Sequence, residues 1–199
     1  LRSTVAPIFS TTRCINIVPV EVWKEHICQK FMNLQQLSIM RRSHTFFDKY
    51  WQSVMDQNII RVPQGCPTVE KAMALAEILS ERKVYTETDP LKIQLDSGVH
   101  EIVGYEEGRM DVTCSHITFV GKGKDQTTIR GGFEVEDQQH INFEALAVTN
   151  EFGDGWYVRG SETTVDVLKC VAKECAQDGM IVRGGATVTA TQCDFVEAG

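Results

Sequence analysis

The sequence predicts a mainly β protein: a right-handed parallel β-helix, or solenoid, preceded by a small α-helical module and a capping helix. Three observations lead there. First, a block of roughly two dozen residues recurs between Val112 and Gly199, with apolar positions and glycines in matching places. Gly155-Trp156-Tyr157-Val158-Arg159-Gly160 aligns with Gly179-Met180-Ile181-Val182-Arg183-Gly184, and Ile117-Thr118-Phe119 with Ile141-Asn142-Phe143, both at an offset of 24. Val165-Asp166-Val167 and Cys170 then fall on Val188-Thr189-Ala190 and Cys193, one residue short of that offset. Second, each block holds short alternating β-branched runs between turn residues and no helix, and one block alone cannot bury its inward row, so blocks must stack. Leucine-rich repeats share the length, but their leucine and asparagine pattern is missing. Third, parallel crossovers are right-handed in nearly all cases. Equivalent residues then lie about 4.8 Å apart, so Phe119 over Phe143 and Cys170 over Cys193 are expected as internal ladders.

Composition bounds the rest. The 199 residues are 42% hydrophobic, enough for a substantial core, while only 8% are aromatic, which suits a coil filled by Val, Ile, Thr and Ala. A formal net charge of −7 argues against general binding to nucleic acid or an anionic membrane, since phosphate affinity needs clustered Lys and Arg. No apolar run approaches the ~20 residues that span a bilayer, and Leu1 to Thr12 lacks the apolar stretch of a secretory signal. Seven cysteines, an odd number without a Cys-x-x-Cys pair, point to a reducing compartment, so the expected location is cytoplasm or nucleus.

Taken in order, residues 1–18 read as a lead-in of Ser and Thr around short apolar patches. Residues 19–57 form the helical module. Val20, Trp23, Ile27 and Phe31 define one helical face behind Pro19, which favours a helix start. Leu34, Leu37, Ile39 and Met40 make a second short helix, and Phe46, Phe47, Tyr50, Trp51, Val54 and Met55 a third. So small a bundle should dock on its neighbour or on a partner.

The run Pro19-x-Glu21-Val22-Trp23-x-x-x-Ile27, then Phe31, Leu34, Leu37, Arg41-Arg42-Ser43-His44, Phe46-Phe47 and Trp51, resembles a divergent F-box. That motif docks ubiquitin-ligase substrate receptors onto a small adaptor. Val18 stands where the family usually has Leu, and Gln36 where an acidic or polar residue usually precedes the Leu37 position. The resemblance implies an adaptor-binding surface made by Pro19, Glu21, Val22, Trp23, Ile27, Leu34 and Leu37. The competing reading is a helical cap or linker bundle with no docking role.

Residues 58–90 supply a connecting strand at Ile59-Ile60-Arg61-Val62 and a capping helix. Thr68 can accept from a free backbone N–H, Glu70 suits the positive helix end, and Ala72, Leu75, Ala76 and Leu79 supply the buried face. A strand, Val-Pro-x-Gly-x-Pro-Thr, an amphipathic helix and then Lys92-Ile93-Gln94-Leu95 resembles the entry of pectin-lyase-like β-helix proteins, where the helix plugs the open coil. Residues 91–199 are the β-helix, of four or five coils. It ends in mid-repeat after Cys193-Asp194-Phe195-Val196-Glu197 without a polar cap, which leads to the expectation of further coils or a pairing surface. The span from Thr113 to Phe195 resembles the β-helix repeats found behind F-boxes in some eukaryotic ubiquitin-ligase receptors. The same repeats occur in carbohydrate-active enzymes, so fold alone does not choose a function.

Enzyme chemistry can be weighed residue by residue. Glycoside hydrolysis needs two carboxyl groups facing across a sugar. Asp154 and Asp178 are equivalent, but each precedes Gly, the ordinary chemistry of a tight turn. Asp166 faces outward between two valines. Gly121-Lys122-Gly123-Lys124 lacks phosphate-loop spacing and reads as a coil corner. His116 and His140 are equivalent; stacked outward-facing polar residues are a commoner outcome than a metal site or a pH sensor. Cys170 and Cys193 suit core packing, Cys175 a coil corner, and Cys114 is the candidate for exposure. No catalytic residue, metal or cofactor is assigned.

One surface feature stands out. Arg159 and Arg183 are equivalent, each followed by Gly, and Arg130-Gly131 repeats the pair at a looser spacing. With Trp156 beside them they form a candidate docking strip for an acidic or phosphorylated segment. Alternatively Glu134, Glu136 and Glu162 neutralise the row. The sequence thus points to non-catalytic protein recognition, as the substrate-binding subunit of a cullin-type ubiquitin ligase. The expected partners are a protein substrate on the β-helix flank and a ligase adaptor on the helical module, with no nucleic acid and no membrane. The alternatives are a carbohydrate-active β-helix enzyme and an interaction scaffold with no ubiquitin role.

Overall fold

The computed structural model describes Val54 and residues 57–196. Strand β1 (Ile59–Val62) turns Ile60 and Val62 inward and pairs in parallel with β2 (Leu91–Leu95), Ile60 opposite Ile93. Between them runs helix α1 (Val69–Ser80). Its start is set by Thr68, in an extended conformation (φ −140°), whose hydroxyl accepts from the Lys71 N–H at 3.3 Å. The helix buries Val69, Ala72, Met73, Leu75, Ala76 and Leu79 in the same core cluster as Leu91, Ile93 and Leu95, and Ile78 is buried beside them in the helix. Glu70 does more than complement the helix dipole: its carboxylate accepts from the Val103 N–H at 2.9 Å and ties the helix to the first coil.

From Leu91 onward the chain winds as a parallel solenoid of about four turns, each turn giving one strand to each of three sheets. The first turn holds β2, β3 (Gly98–Glu101) and β4 (Arg109–Asp111); the second β5 (Ile117–Val120), β6 (Thr127–Arg130) and β7 (Gly132–Glu136). The third holds β8 (Ile141–Glu144), β9 (Ala147–Thr149) and β10 (Trp156–Arg159); the fourth β11 (Thr164–Leu168), β12 (Val171–Ala172) and β13 (Met180–Val182). A further partial turn follows with β14 (Thr187–Thr191) and β15 (Asp194–Phe195). The sheets run β1-β2-β5-β8-β11-β14, β4-β7-β10-β13 and β3-β6-β9-β12-β15.

The register is the one the repeat predicts. Phe119 lies opposite Phe143, and Val165 opposite Val188. The alternation that a strand imposes sends every second residue into the coil, so Ile93, Phe119, Phe143 and Val167 form one fully or almost fully buried column. The Phe119 and Phe143 rings stack at 5.1 Å with 9° between planes; Phe133 tilts onto Phe143 at 4.7 Å, and Trp156 meets it edge-on at 5.8 Å. Each buried aromatic of this kind contributes about 1.5–3 kcal/mol.

The corners explain the turn residues. Ala145, Lys169 and Gln192 occupy equivalent corner positions in successive coils, and all take positive φ (55°, 55° and 56°). At Gly132 the chain passes so close to the next coil that a Cβ would run into the Asp154 carbonyl. Cys170 is fully buried and Cys193 partly buried one coil on, so that pair packs as its spacing predicts. Cys114 is different: it is only 8% exposed, closed in near Ser80 and Glu77 of α1, because the helix covers the coil end where a lone strand start would have been open.

Candidate functional site

The positions of the F-box-like set, Pro19, Glu21, Val22, Trp23, Ile27, Leu34 and Leu37, lie outside the described residues. The arginine strip lies within them. Strand β10 alternates, so Trp156 and Val158 point inward and Tyr157 and Arg159 outward. Trp156 is therefore fully buried, in register with Phe133 and Met180, and is a core residue rather than a surface anchor. The aromatic ring beside the arginines is Tyr157.

Arg130 does not join the row. It sits on β6, in another sheet, opposite Glu101 of β3, and its guanidinium reaches that carboxylate at 2.9 Å. The residue in register with Arg159 one coil earlier is Glu136. The expected place for Arg130 in the row is therefore corrected: its looser spacing reflects a strand of another sheet.

Arg159 and Arg183 do stack, the Arg183 N–H bonding back to the Val158 carbonyl at 2.8 Å. A third arginine completes the group from two coils away. Arg109, at the start of β4, sets its guanidinium carbon 4.7 Å from the Tyr157 ring centre, with Arg159 at 5.9 Å and Arg183 at 5.8 Å. A guanidinium on an aromatic face gains about 0.5–2 kcal/mol, more as water is excluded. Three cations on one ring would repel without counter-charges, and the surrounding carboxylates supply most of these.

Arg109, with a side chain only 10% exposed, bonds to Asp154 at 2.7 Å, contacts Glu107, and lies 3.6 Å from Glu134. Glu134 also pairs with Arg159 at 3.1 Å, and Glu136 holds Arg159 at 2.7 Å. So Glu134 and Glu136 neutralise Arg159, as the sequence allowed, and the network extends well beyond them. Arg183 is exposed and, among the described residues, pairs with no carboxylate. The face therefore ends in an uncompensated guanidinium beside a half-buried tyrosine.

Asp154 is the residue that sequence reasoning undervalued. Its turn does precede Gly, but the carboxylate is buried: one oxygen takes the Arg109 bond and the other accepts from the Asp178 N–H at 3.0 Å. Beside it Asn150, also buried, donates to the carbonyls of Glu107 (3.0 Å) and Asp154 (2.7 Å) and accepts from the Phe152 N–H at 3.1 Å. The signal was a two-coil separation, Arg109 to Asp154 being 45 residues, which single-offset alignment does not bring together.

Other candidates sort quickly. His116 and His140 stack, ring centres 5.0 Å apart and 14° from parallel, on corners with φ of 60° and 54°. Burial first, and the neighbouring His140 second, push the His116 imidazole below its ordinary pKa. Asp166 is exposed, flanked in register by Asn142 and Thr189. The Gly121–Asp125 stretch is a corner whose Thr127 hydroxyl accepts from the Lys122 N–H at 2.9 Å, a turn architecture rather than a phosphate cradle. Burial pushes the Cys114 and Cys170 thiols up to about 11 and raises that of Cys175, so none is activated as a nucleophile. Among the described residues no three His, Cys, Asp or Glu side chains converge as metal ligands, and no helix is long and apolar enough to cross a membrane. Comparison with protein-family models, with curated proteins and with solved structures finds no match.

Proposed function

We propose that this chain is a non-catalytic recognition protein whose solenoid binds a protein segment on the outer face of the β4-β7-β10-β13 sheet. The observation that carries the reading is the pairing of an exposed, uncompensated Arg183 with the Tyr157 ring. A guanidinium and an aromatic plate side by side suit a carboxylate or phosphate flanked by an apolar residue, and such groups anchor protein interfaces. The filled interior also supports a surface role, since the columns of Phe119, Phe133, Phe143 and Trp156 are fully buried. The coils wind right-handed on this reading, as parallel crossovers do in nearly all cases. The F-box-like residues 19–57 add the second half: a receptor that presents its substrate to a cullin-type ligase, in the cytoplasm or nucleus, through an adaptor bound at Pro19, Glu21, Val22, Trp23, Ile27, Leu34 and Leu37.

The carbohydrate-active alternative draws less support. Its carboxylates would have to be free to move a proton, whereas Glu107, Glu134 and Asp154 are engaged by Arg109. The test has two arms. An array of acidic and phosphorylated peptides is probed with wild type, Arg183→Glu and Tyr157→Ala; capture lost in both variants supports the face, and capture unchanged in both refutes it. A pull-down with the small adaptor of cullin-based ligases compares wild type with Val22→Asp and Leu37→Asp; adaptor retained by wild type alone supports the ligase role, and none retained by folded wild type removes it.

A further inference from the structure

At the corner where the chain passes from β3 to β4, two loops meet and hold three apolar side chains in water. Val103 is 71% exposed, Tyr105 38% and Phe152 67%. Gly108 joins the loops. Its N–H bonds to the Tyr105 carbonyl at 3.2 Å, and the Phe152 ring lies against it, so that a Cβ there would come within 3.3 Å of a ring carbon.

The presentation is built from inside. Asn150 fastens the Phe152 N–H and reaches across to the Glu107 carbonyl of the other loop, while Arg109 bonds to Asp154 and contacts Glu107. Burying an amide and an ion pair is costly unless the polar groups are met. Asn150 and Asp154 make the hydrogen bonds described above, while Arg109 Nε has no hydrogen-bond partner among the described residues and lies 3.6 Å from Glu134. Here that network fixes a loop whose tip residue is an exposed phenylalanine. Singly exposed apolar residues are ordinary, whereas exposed apolar residues grouped at one place mark contact surfaces, and here three are grouped at one corner.

The rim of the corner is acidic. Burial, and then the carboxylates of Glu70 and Asp111, raise the Tyr105 phenol pKa. Glu151 precedes Phe152 and is exposed. One Glu70 carboxylate oxygen is buried and has no hydrogen-bond partner among the described residues, although the other holds the Val103 N–H. Arg109 is engaged by Glu107 and Asp154.

We propose that this corner is a protein contact in which Phe152 inserts into an apolar pocket rimmed by Lys or Arg on the partner. Phe152 supplies the anchor, Tyr105 and Val103 the apolar surround, and the exposed Asp111 and Glu151 the charge that selects a basic rim. The contact adjoins the Arg183 face through Arg109, which lies on the Tyr157 ring and also bonds to Asp154, but it has the opposite charge preference.

The test is a random-peptide display library panned on the whole chain, with enriched peptides then titrated against wild type, Phe152→Ala, Phe152→Trp and Arg183→Glu at low and high salt. The expected result is a class of peptides pairing an apolar anchor with Lys or Arg. These should weaken by about tenfold or more on Phe152→Ala, survive Phe152→Trp and Arg183→Glu, and weaken with salt. Because the side chain is exposed, the Phe152→Ala melt should match wild type. Enrichment of peptides indifferent to Phe152→Ala overturns the proposal, as does enrichment of acidic peptides alone, or no enrichment by folded wild type. Loss on Arg183→Glu but not on Phe152→Ala would support the other face and refute this one.

Discussion

Replacing Asp154 by Ala should destabilise the protein by about 3 kcal/mol. The side chain is 2% exposed, bonds to Arg109 at 2.7 Å and accepts from the Asp178 N–H at 3.0 Å. A hydrogen bond to a charged group contributes about 1.5–3 kcal/mol, and removing one partner of a buried ion pair costs about 3–5 kcal/mol when the other is stranded. Arg109 is not stranded, because Glu107 and Glu134 remain beside it, which places the loss at the lower end. For a chain of this size about 3 kcal/mol lowers Tm by roughly 6–12 °C. Asp154→Asn keeps an oxygen for the Asp178 N–H but turns an amide NH2 toward the Arg109 guanidinium, so it gives up the Arg109 bond together with the charge and should lose about as much as Asp154→Ala. Urea denaturation followed by circular dichroism, with matching melts, measures all three proteins. An Asp154→Ala loss under about 1 kcal/mol, or an Asp154→Asn variant as stable as wild type, would show that the carboxylate is solvated and that the corner is not held from inside.

Phe143→Ala removes the ring shared by the Phe119, Phe133 and Trp156 contacts and should cost about 3–5 kcal/mol by the same denaturation measurement. The His116 pair gives a pH dependence of known sign. Because the folded imidazole has its pKa lowered from 6.5, the unfolded chain takes up the proton more readily, and stability is full above that value and falls as pH drops below it. His116→Asn, which tolerates the positive φ, should flatten the loss of Tm between about pH 7.5 and about pH 5.5 relative to wild type. Cys114, buried and with its thiol pushed up to about 11, should resist alkylation at about pH 8 while partly exposed Cys193 reacts, as read by peptide mass spectrometry.

The coil was legible because a stacked solenoid repeats its constraints. Phe119 and Phe143, like Val165 and Val188, must fill the same place in successive turns, so spacing alone pointed to the register seen between them. The capping helix was legible for a local reason: Thr68 and the buried face through Leu79 follow from sequence neighbours. What escaped depends on contacts that no fixed offset encodes. Arg109 meets Asp154 across two coils, and the corner insertions around Tyr105 and Phe152 vary in length from turn to turn. Trp156 was misplaced by chemistry rather than pattern, since large aromatics read as interface anchors, yet its register with Phe133 places it inside. The stacking of Cys114 under α1 is tertiary and leaves no local mark.

The claim on which the rest depends is that successive coils stack in parallel register around a filled aromatic interior. Nuclear Overhauser spectroscopy on labelled protein tests it most directly. The account predicts contacts between the Phe119 and Phe143 rings, and between the backbones of Asn142 and Asp166, in the pattern of neighbouring parallel strands. Antiparallel contacts between these strands, or Asn142 paired with a residue out of that register, would contradict it and would dissolve the Tyr157–Arg183 face and the Phe152 corner together.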